Sequence, residues 1–157
     1  MTEGIVSIGR NAFAGCDRLH QVVLPVSVEE IGDSAFENCI SLKAISLPAA
    51  LKTIGNGALK GTGFRTIEIP KSVFWLGDSL LADCKSLDHV KIPENIEQVP
   101  ERMFEGCTGL KKVEFHEKLK EIGDRAFFGC SSLDFLIVPD SVTQIGKDAF
   151  ANTDKQF

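Results

Sequence analysis

The sequence predicts an α/β solenoid: a stack of similar rungs, each a strand, a second short strand and one helical turn. Three observations carry this. A branched-aliphatic–glycine pair returns at a near-constant interval, and a short apolar alternation ending in proline returns between those pairs. One further slot per unit admits only glycine, asparagine or aspartate. A fixed period over a whole chain means that each unit covers its neighbour's apolar face, because no single unit can bury its own.

The period is read from Ile8-Gly9, Ile31-Gly32, Ile54-Gly55, Leu76-Gly77, Val99-Pro100, Ile122-Gly123 and Ile145-Gly146, which stand 23, 23, 22, 23, 23 and 23 residues apart. Within a unit, Leu42-x-x-Ile45-x-Leu47-Pro48 alternates as a half-buried strand does, with Ile45 and Leu47 inward and Ala44 and Ser46 outward. Leu19/Val22/Leu24, Leu87/Val90/Ile92, Leu110/Val113/Phe115 and Leu133/Leu136/Val138 repeat it. The shortened third unit supplies Ile67/Ile69, with Phe64 in place of the leading leucine. Proline follows at Pro25, Pro48, Pro70, Pro93 and Pro139, where a residue lacking an N–H can end a strand; His116 fills that slot once.

Next comes a second apolar pair: Val28/Ile31, Leu51/Ile54, Val73/Leu76, Ile96/Val99, Leu119/Ile122 and Val142/Ile145. A glycine turn leads to Ala-Phe at Ala12-Phe13, Ala35-Phe36, Ala126-Phe127 and Ala149-Phe150, with Ala58-Leu59, Leu80-Leu81 and Met103-Phe104 as variants. Asp33, Asp78 and Asp124 are placed to cap one helical turn carrying that pair. Two residues beyond the aromatic stand Gly15, Asn38, Gly61, Asp83, Gly106, Gly129 and Asn152, all types that tolerate the left-handed conformation. Stacked rungs are expected about 4.8 Å apart.

The bulk composition narrows the function classes. At 157 residues, 43% hydrophobic and 25% charged, residues 1–157 read as a single folded repeat domain. A net charge of −5 gives no electrostatic footprint for nucleic acid. No apolar run approaches the roughly 20 residues of a membrane span, so no membrane insertion is expected. Met1-Thr2-Glu3-Gly4 does not open a signal peptide, and the chain starts and stops within a unit, as a segment of a longer protein would. Open rungs at both ends would then cap themselves with terminal residues or pair end to end with another copy.

The pattern AF-x-x-C-x-x-L-x-x-V-x-L-P-x-S-V-x-x-IG, nearly complete in "AFENCISLKAISLP" and "AFFGCSSLDFLIVPDSVTQIGKDAF", resembles the BspA-type (Treponema pallidum-type) leucine-rich repeat. The resemblance covers essentially the whole chain in about six and a half units. It implies a curved, right-handed solenoid with a parallel main sheet on one side. It also implies a non-enzymatic segment of a cell-surface or secreted protein used in adhesion, with protein or glycan, including host extracellular matrix, as partner. Departures cluster in the third to fifth units: Leu59, Leu81 and Met103 in the Ala-Phe slot, Thr62 for cysteine, Pro100 for glycine and a residue missing near Gly63; Thr153 replaces the last cysteine. Regular curvature is in question there.

Cys16, Cys39, Cys84, Cys107 and Cys130 occupy one slot of the repeat. Metal ligation needs convergent ligands and disulfides need paired side-chain vectors, whereas a ladder holds these side chains parallel. They read as free structural thiols, with no metal, cofactor or catalytic residue implied. His20, His89 and His116 fall at three different repeat positions, and the carboxylates scatter over outward positions, so neither set forms a catalytic group.

The outward strand positions are Gln21/Val23, Ala44/Ser46, Thr66/Glu68, His89/Lys91, Lys112/Glu114 and Phe135/Ile137, a displayed surface that varies over constant inward neighbours. His89, Lys91 and Lys112 are candidate contacts. Phe135 and Ile137, with Phe128 nearby in sequence, are apolar where the face should be wet, and mark either a contact patch or packing beneath a further rung. Phe74-Trp75 interrupts a pair of slots that elsewhere holds Glu29-Glu30, Lys52-Thr53, Glu97-Gln98, Lys120-Glu121 and Thr143-Gln144. Tryptophan is a frequent interface anchor, against which stands the filling of space left by the short unit. A passive spacer, holding another domain away from a cell surface, is the alternative to a recognition module.

Overall fold

The computed structural model describes residues 4–153. The expected opening Met1, Thr2 and Glu3 and any self-capping by residues 154–157 lie outside them. Twelve short strands form two parallel ladders that run along the stack. The first face holds β2 (Gln21–Val23), β4 (Ala44–Ser46), β6 (Thr66–Ile67), β8 (His89–Lys91) and β10 (Lys112–Glu114), extended by a bridge from Lys112 to Phe135. The second holds β1 (Ser7–Ile8), β3 (Glu30–Ile31), β5 (Thr53–Ile54), β7 (Trp75–Leu76), β9 (Gln98–Val99), β11 (Glu121–Ile122) and β12 (Gln144–Ile145). The predicted register is observed: Ile31 pairs with Ile54, Val90 with Val113 and Ile122 with Ile145.

The third side corrects the α/β expectation, for the described residues contain no helix. Residues 32–39 instead form three successive tight turns, with Ala35, Glu37 and Cys39 N–H donating three residues back to Gly32, Ser34 and Phe36 carbonyls. The intervening Ser34, Phe36 and Asn38 N–H groups donate at 2.8 Å to the next rung, on Asn56, Ala58 and Lys60. Two left-handed residues per unit prevent a helix. One is the predicted slot, with Gly15, Asn38, Gly61, Asp83, Gly106, Gly129 and Asn152 all at positive φ. The other holds Asn11, Ser34, Gly57, Ser79, Arg102, Arg125 and Asp148, also at positive φ. A non-glycine residue costs about 1–2 kcal/mol there, which rung-to-rung hydrogen bonds must offset.

Asp33, Asp78 and Asp124 accordingly cap no helix. Their Oδ1 atoms accept the backbone N–H of Asn56, Glu101 and Lys147 on the following rung, at 2.8, 3.1 and 2.8 Å. Asn56 does the same for the Asp78 N–H at 2.8 Å. The glycine before this slot is explained by stacking: a Cβ on Gly32 would lie 2.8 Å from the Arg10 nitrogen, and one on Gly123 2.7 Å from the Glu101 nitrogen.

Between the faces the core is a column of Leu, Ile, Val, Phe and Cys, with Val28, Phe36, Leu42, Ile54, Leu87, Val99, Phe104 and Phe127 among its fully or almost fully buried members. Phe104, Phe127 and Phe150 stack successively with centroids 5.1 and 5.3 Å apart. Burying one such ring contributes roughly 1.5–3 kcal/mol.

Both ladders break near the irregular units. On the first face β4 and β6 do not pair; the 22-residue interval falls between them, and ahead of β6 the Gly63 N–H donates to the Leu42 carbonyl at 3.0 Å. Ile45 and Leu47 beside the break are only half-buried. On the second face β7 and β9 do not pair. Elsewhere each stacked glycine N–H donates to the preceding rung, as Gly77 does to Ile54 at 2.8 Å and Gly123 to Val99 at 2.9 Å. Pro100 has no N–H with which to reach the Leu76 carbonyl.

Candidate functional site

The first face brings four of the seven candidate residues into two adjoining rows, with Ile137 bordering the same depression. Thr66, His89, Lys112 and Phe135 lie in register across one row, and Lys91 and Glu114 across the next. Glu114 ties them together: its Oε1 lies 2.7 Å from Lys112 Nζ and 3.1 Å from His89 Nε2. The Lys112 hydrogen bond holds the Glu114 carboxyl below its ordinary pKa. Phe135 and Ile137, 61% and 68% exposed, border a shallow depression of about 340 Å³ with Lys112, Glu114 and His116. A second hollow of about 290 Å³ lies over His89, Lys91, Glu68 and Lys71.

Phe128 does not join the exposed apolar set. It is half-buried with the Arg125 guanidinium 3.7 Å from its ring centre, and Arg125 is clamped to Glu105 through contacts of 2.7 and 3.2 Å.

Phe74 and Trp75 sit on the second face, away from the β8–β10 rows. They are 62% and 47% exposed. Trp75 begins β7, so its ring stands at the break between β7 and β9, beside a cleft of about 450 Å³ that Asp78, Asn95, Glu97, Gln98 and Pro100 complete. Sequence reasoning singled out the aromatic pair and missed these partners. The available signal was Pro100, the single non-glycine in its slot.

The thiols are free, as their ladder placement predicts, and four of the five are buried; Cys16, in the first rung, is exposed. Each buried thiol donates to a carbonyl of the preceding rung: Cys39 to Phe13 at 3.0 Å, Cys84 to Leu59 at 3.2 Å, Cys107 to Leu81 at 3.0 Å and Cys130 to Phe104 at 3.1 Å. Burial pushes the Cys107 thiol well up and the Cys130 thiol to about 12. His116 takes a structural part at its strand end. Its Nε2 bonds the Ile96 carbonyl at 2.9 Å, and its Nδ1 accepts the Lys118 N–H at 3.2 Å. Among the described residues no three His, Cys, Asp or Glu side chains converge as a metal site would require. No helix there is long and apolar enough to cross a membrane.

Parallel two- and three-residue strands, stacked turns and an apolar column define a repeat protein of the β-solenoid class. A family model, the BspA type leucine rich repeat region, matches residues 43–156 in 6 copies. The chain belongs to the BspA-type leucine-rich repeat family. A leucine-rich repeat protein from Bacteroides ovatus is 35% identical over 95% of this chain and 45% of its own, with a TM-score of 0.79. The Treponema pallidum leucine-rich repeat protein is 31% identical over 93% of this chain and 70% of its own, with a TM-score of 0.85. A leucine-rich cell surface protein from Faecalibacterium prausnitzii is 33% identical over 97% of this chain and 43% of its own, with a TM-score of 0.83. This chain therefore spans less than half the length of the first and third. No functionally curated protein matches by sequence.

Proposed function

We propose that the chain is a non-enzymatic recognition segment of a cell-surface or secreted protein, binding protein or glycan through the face carrying β8 and β10. The observation that carries this reading is the Phe135–Ile137 pair, exposed beside the charged group of Lys112, Glu114 and His89. An apolar centre with a polar rim is the usual anatomy of a recognition surface. The surface context rests on the family and on the Faecalibacterium relative, whose name places that protein at the cell surface.

The test is a glycan-array and extracellular-matrix panel with the natural chain beside a Phe135→Ala/Ile137→Ala variant. Selective binding lost in the variant, with melting temperature unchanged, is the expected result. Binding retained in full by the variant sinks this face as the recognition surface. Silence from both proteins moves the weight to a spacer whose rungs only set distance.

A further inference from the structure

The opening between β7 and β9 has a composition unlike the surface around it. We propose that this cleft is a second binding site, on the opposite ladder from the face above, and that it takes an uncharged oligosaccharide.

The cleft exists because the ladder is interrupted. Pro100 cannot donate the hydrogen bond that every stacked glycine supplies, so the two rungs part on this face alone. The flanking ladders hold: β6 still pairs with β8, and Ser79, Leu81 and Asp83 N–H still donate to Glu101, Met103 and Glu105. The opening of about 450 Å³ is thus framed by two rigid sides. Into it faces the one tryptophan of the chain, in a slot that is otherwise Ser7, Glu30, Thr53, Gln98, Glu121 and Gln144.

An indole beside short planar polar groups suits a pyranose ring. The sugar's C–H face is apolar and packs on an aromatic plane, while its rim of hydroxyls both donates and accepts hydrogen bonds. Acceptors are present and only partly used. Asp78 gives one oxygen to the Glu101 N–H, Glu97 gives one to Lys120 at 2.6 Å, and the Asn95 amide nitrogen bonds the Lys71 carbonyl, leaving its oxygen. Gln98 is exposed, and its amide carries both donors and an acceptor.

Charge decides the class of glycan. The lining has two carboxylates, Asp78 and Glu97, the second paired with Lys120 at its edge, and no lysine, arginine or histidine of its own. A sulfated or uronic-acid chain would be repelled, whereas a neutral hydroxyl-rich chain would not. Trp75 also walls a second hollow of about 340 Å³ over Gly9, Gly32 and Gly55, where Glu30 and Asp33 outnumber the single cation, Arg10.

Because the chain has one tryptophan and no tyrosine, its emission reports on this site alone. The experiment titrates the protein with neutral gluco-, manno-, galacto- and N-acetylglucosamine-based hexasaccharides, and with heparin and hyaluronan fragments, reading fluorescence and binding heat. A saturable emission change with at least one neutral probe and none with the acidic ones is expected. Pro100→Gly keeps the tryptophan and restores the repeat's own residue, so it should close the cleft and weaken binding about tenfold or more. Trp75→Ala should lose the binding heat, while Phe135→Ala, on the other ladder, should leave it intact. No response to any neutral probe, an equal response to acidic ones, or unchanged affinity in Pro100→Gly overturns the proposal. Failure of the Phe135 face in the panel would leave this result standing, so the two readings fail separately.

Discussion

The Cys107 thiol donates to the Leu81 carbonyl 3.0 Å away on the preceding rung, and the same bond recurs from Cys130 to Phe104 at 3.1 Å. Each of these carbonyls already accepts the N–H three residues further on, from Cys84 to Leu81 at 3.3 Å and from Cys107 to Phe104 at 3.0 Å, and the thiol supplies a second donor from a side chain small and apolar enough to sit in the column. Thr62, in the same slot, instead donates within its own rung to Leu59 at 2.8 Å while lying 3.3 Å from Cys84 Sγ.

Thiol labelling should therefore split into two classes. Burial raises the thiol pKa of Cys39, Cys84, Cys107 and Cys130, so little thiolate forms even at mildly alkaline pH. Cys16 alone is exposed. Alkylation followed by peptide mass mapping should find Cys16 modified first, and the others only on unfolding. Rapid modification of Cys107 in the folded protein would refute the ladder.

Substitution of the stacked glycines should show a position dependence that backbone conformation does not predict. Gly123 has no positive φ, yet an added Cβ would meet the Glu101 nitrogen at 2.7 Å, while one on Gly9 would meet nothing within 4 Å. Gly123→Ala should cost about 1–3 kcal/mol through overpacking and Gly9→Ala within about 0.5 kcal/mol of nothing. Equal denaturation midpoints for the two would contradict the close rung approach.

These details separate what the sequence carries from what it does not. Period, strand positions, inward residues and one left-handed slot are legible because each is enforced at every rung by burial or by φ. The turn side reads as helical in the sequence because its second left-handed slot holds Asn11, Ser34, Gly57, Ser79, Arg102, Arg125 and Asp148, a set with no common side-chain chemistry. What selects that conformation is the carbonyl of the next rung, a tertiary contact. Trp75 was legible as an anomaly, but its cleft was not, because Asn95, Glu97 and Gln98 are ordinary polar residues until the Pro100 break leaves β7 and β9 unpaired.

Acid should weaken the turn side through the Glu105 carboxylate, which lies 2.7 Å from Arg125 and 3.5 Å from Arg102. The Arg125 hydrogen bond holds the Glu105 carboxyl below its ordinary pKa. A depressed folded pKa means that the contribution is full above the unfolded carboxylate range and is lost as pH falls through the folded value. The pair is partly exposed and screened by solvent, so its worth is small. Melting curves of the natural chain and Glu105→Gln should differ slightly at neutral pH and converge in acid. A gap that widened in acid would reverse the sign and exclude this pair as the cause.

Stability measurements can also decide what Phe135 and Ile137 are for. Core phenylalanines such as Phe104 and Phe127 are fully buried, and truncating either to alanine should cost about 3–5 kcal/mol. Phe135 and Ile137 are more than half exposed, and Phe135 meets the stack through a single bridge to Lys112. Replacing both with serine should change unfolding free energy by no more than about 0.5 kcal/mol per site. Two large apolar side chains that stand together and add nothing to folding are free to serve a contact. A double variant that lost several kcal/mol would instead make them part of the fold's packing and remove the main support for this face as a recognition surface.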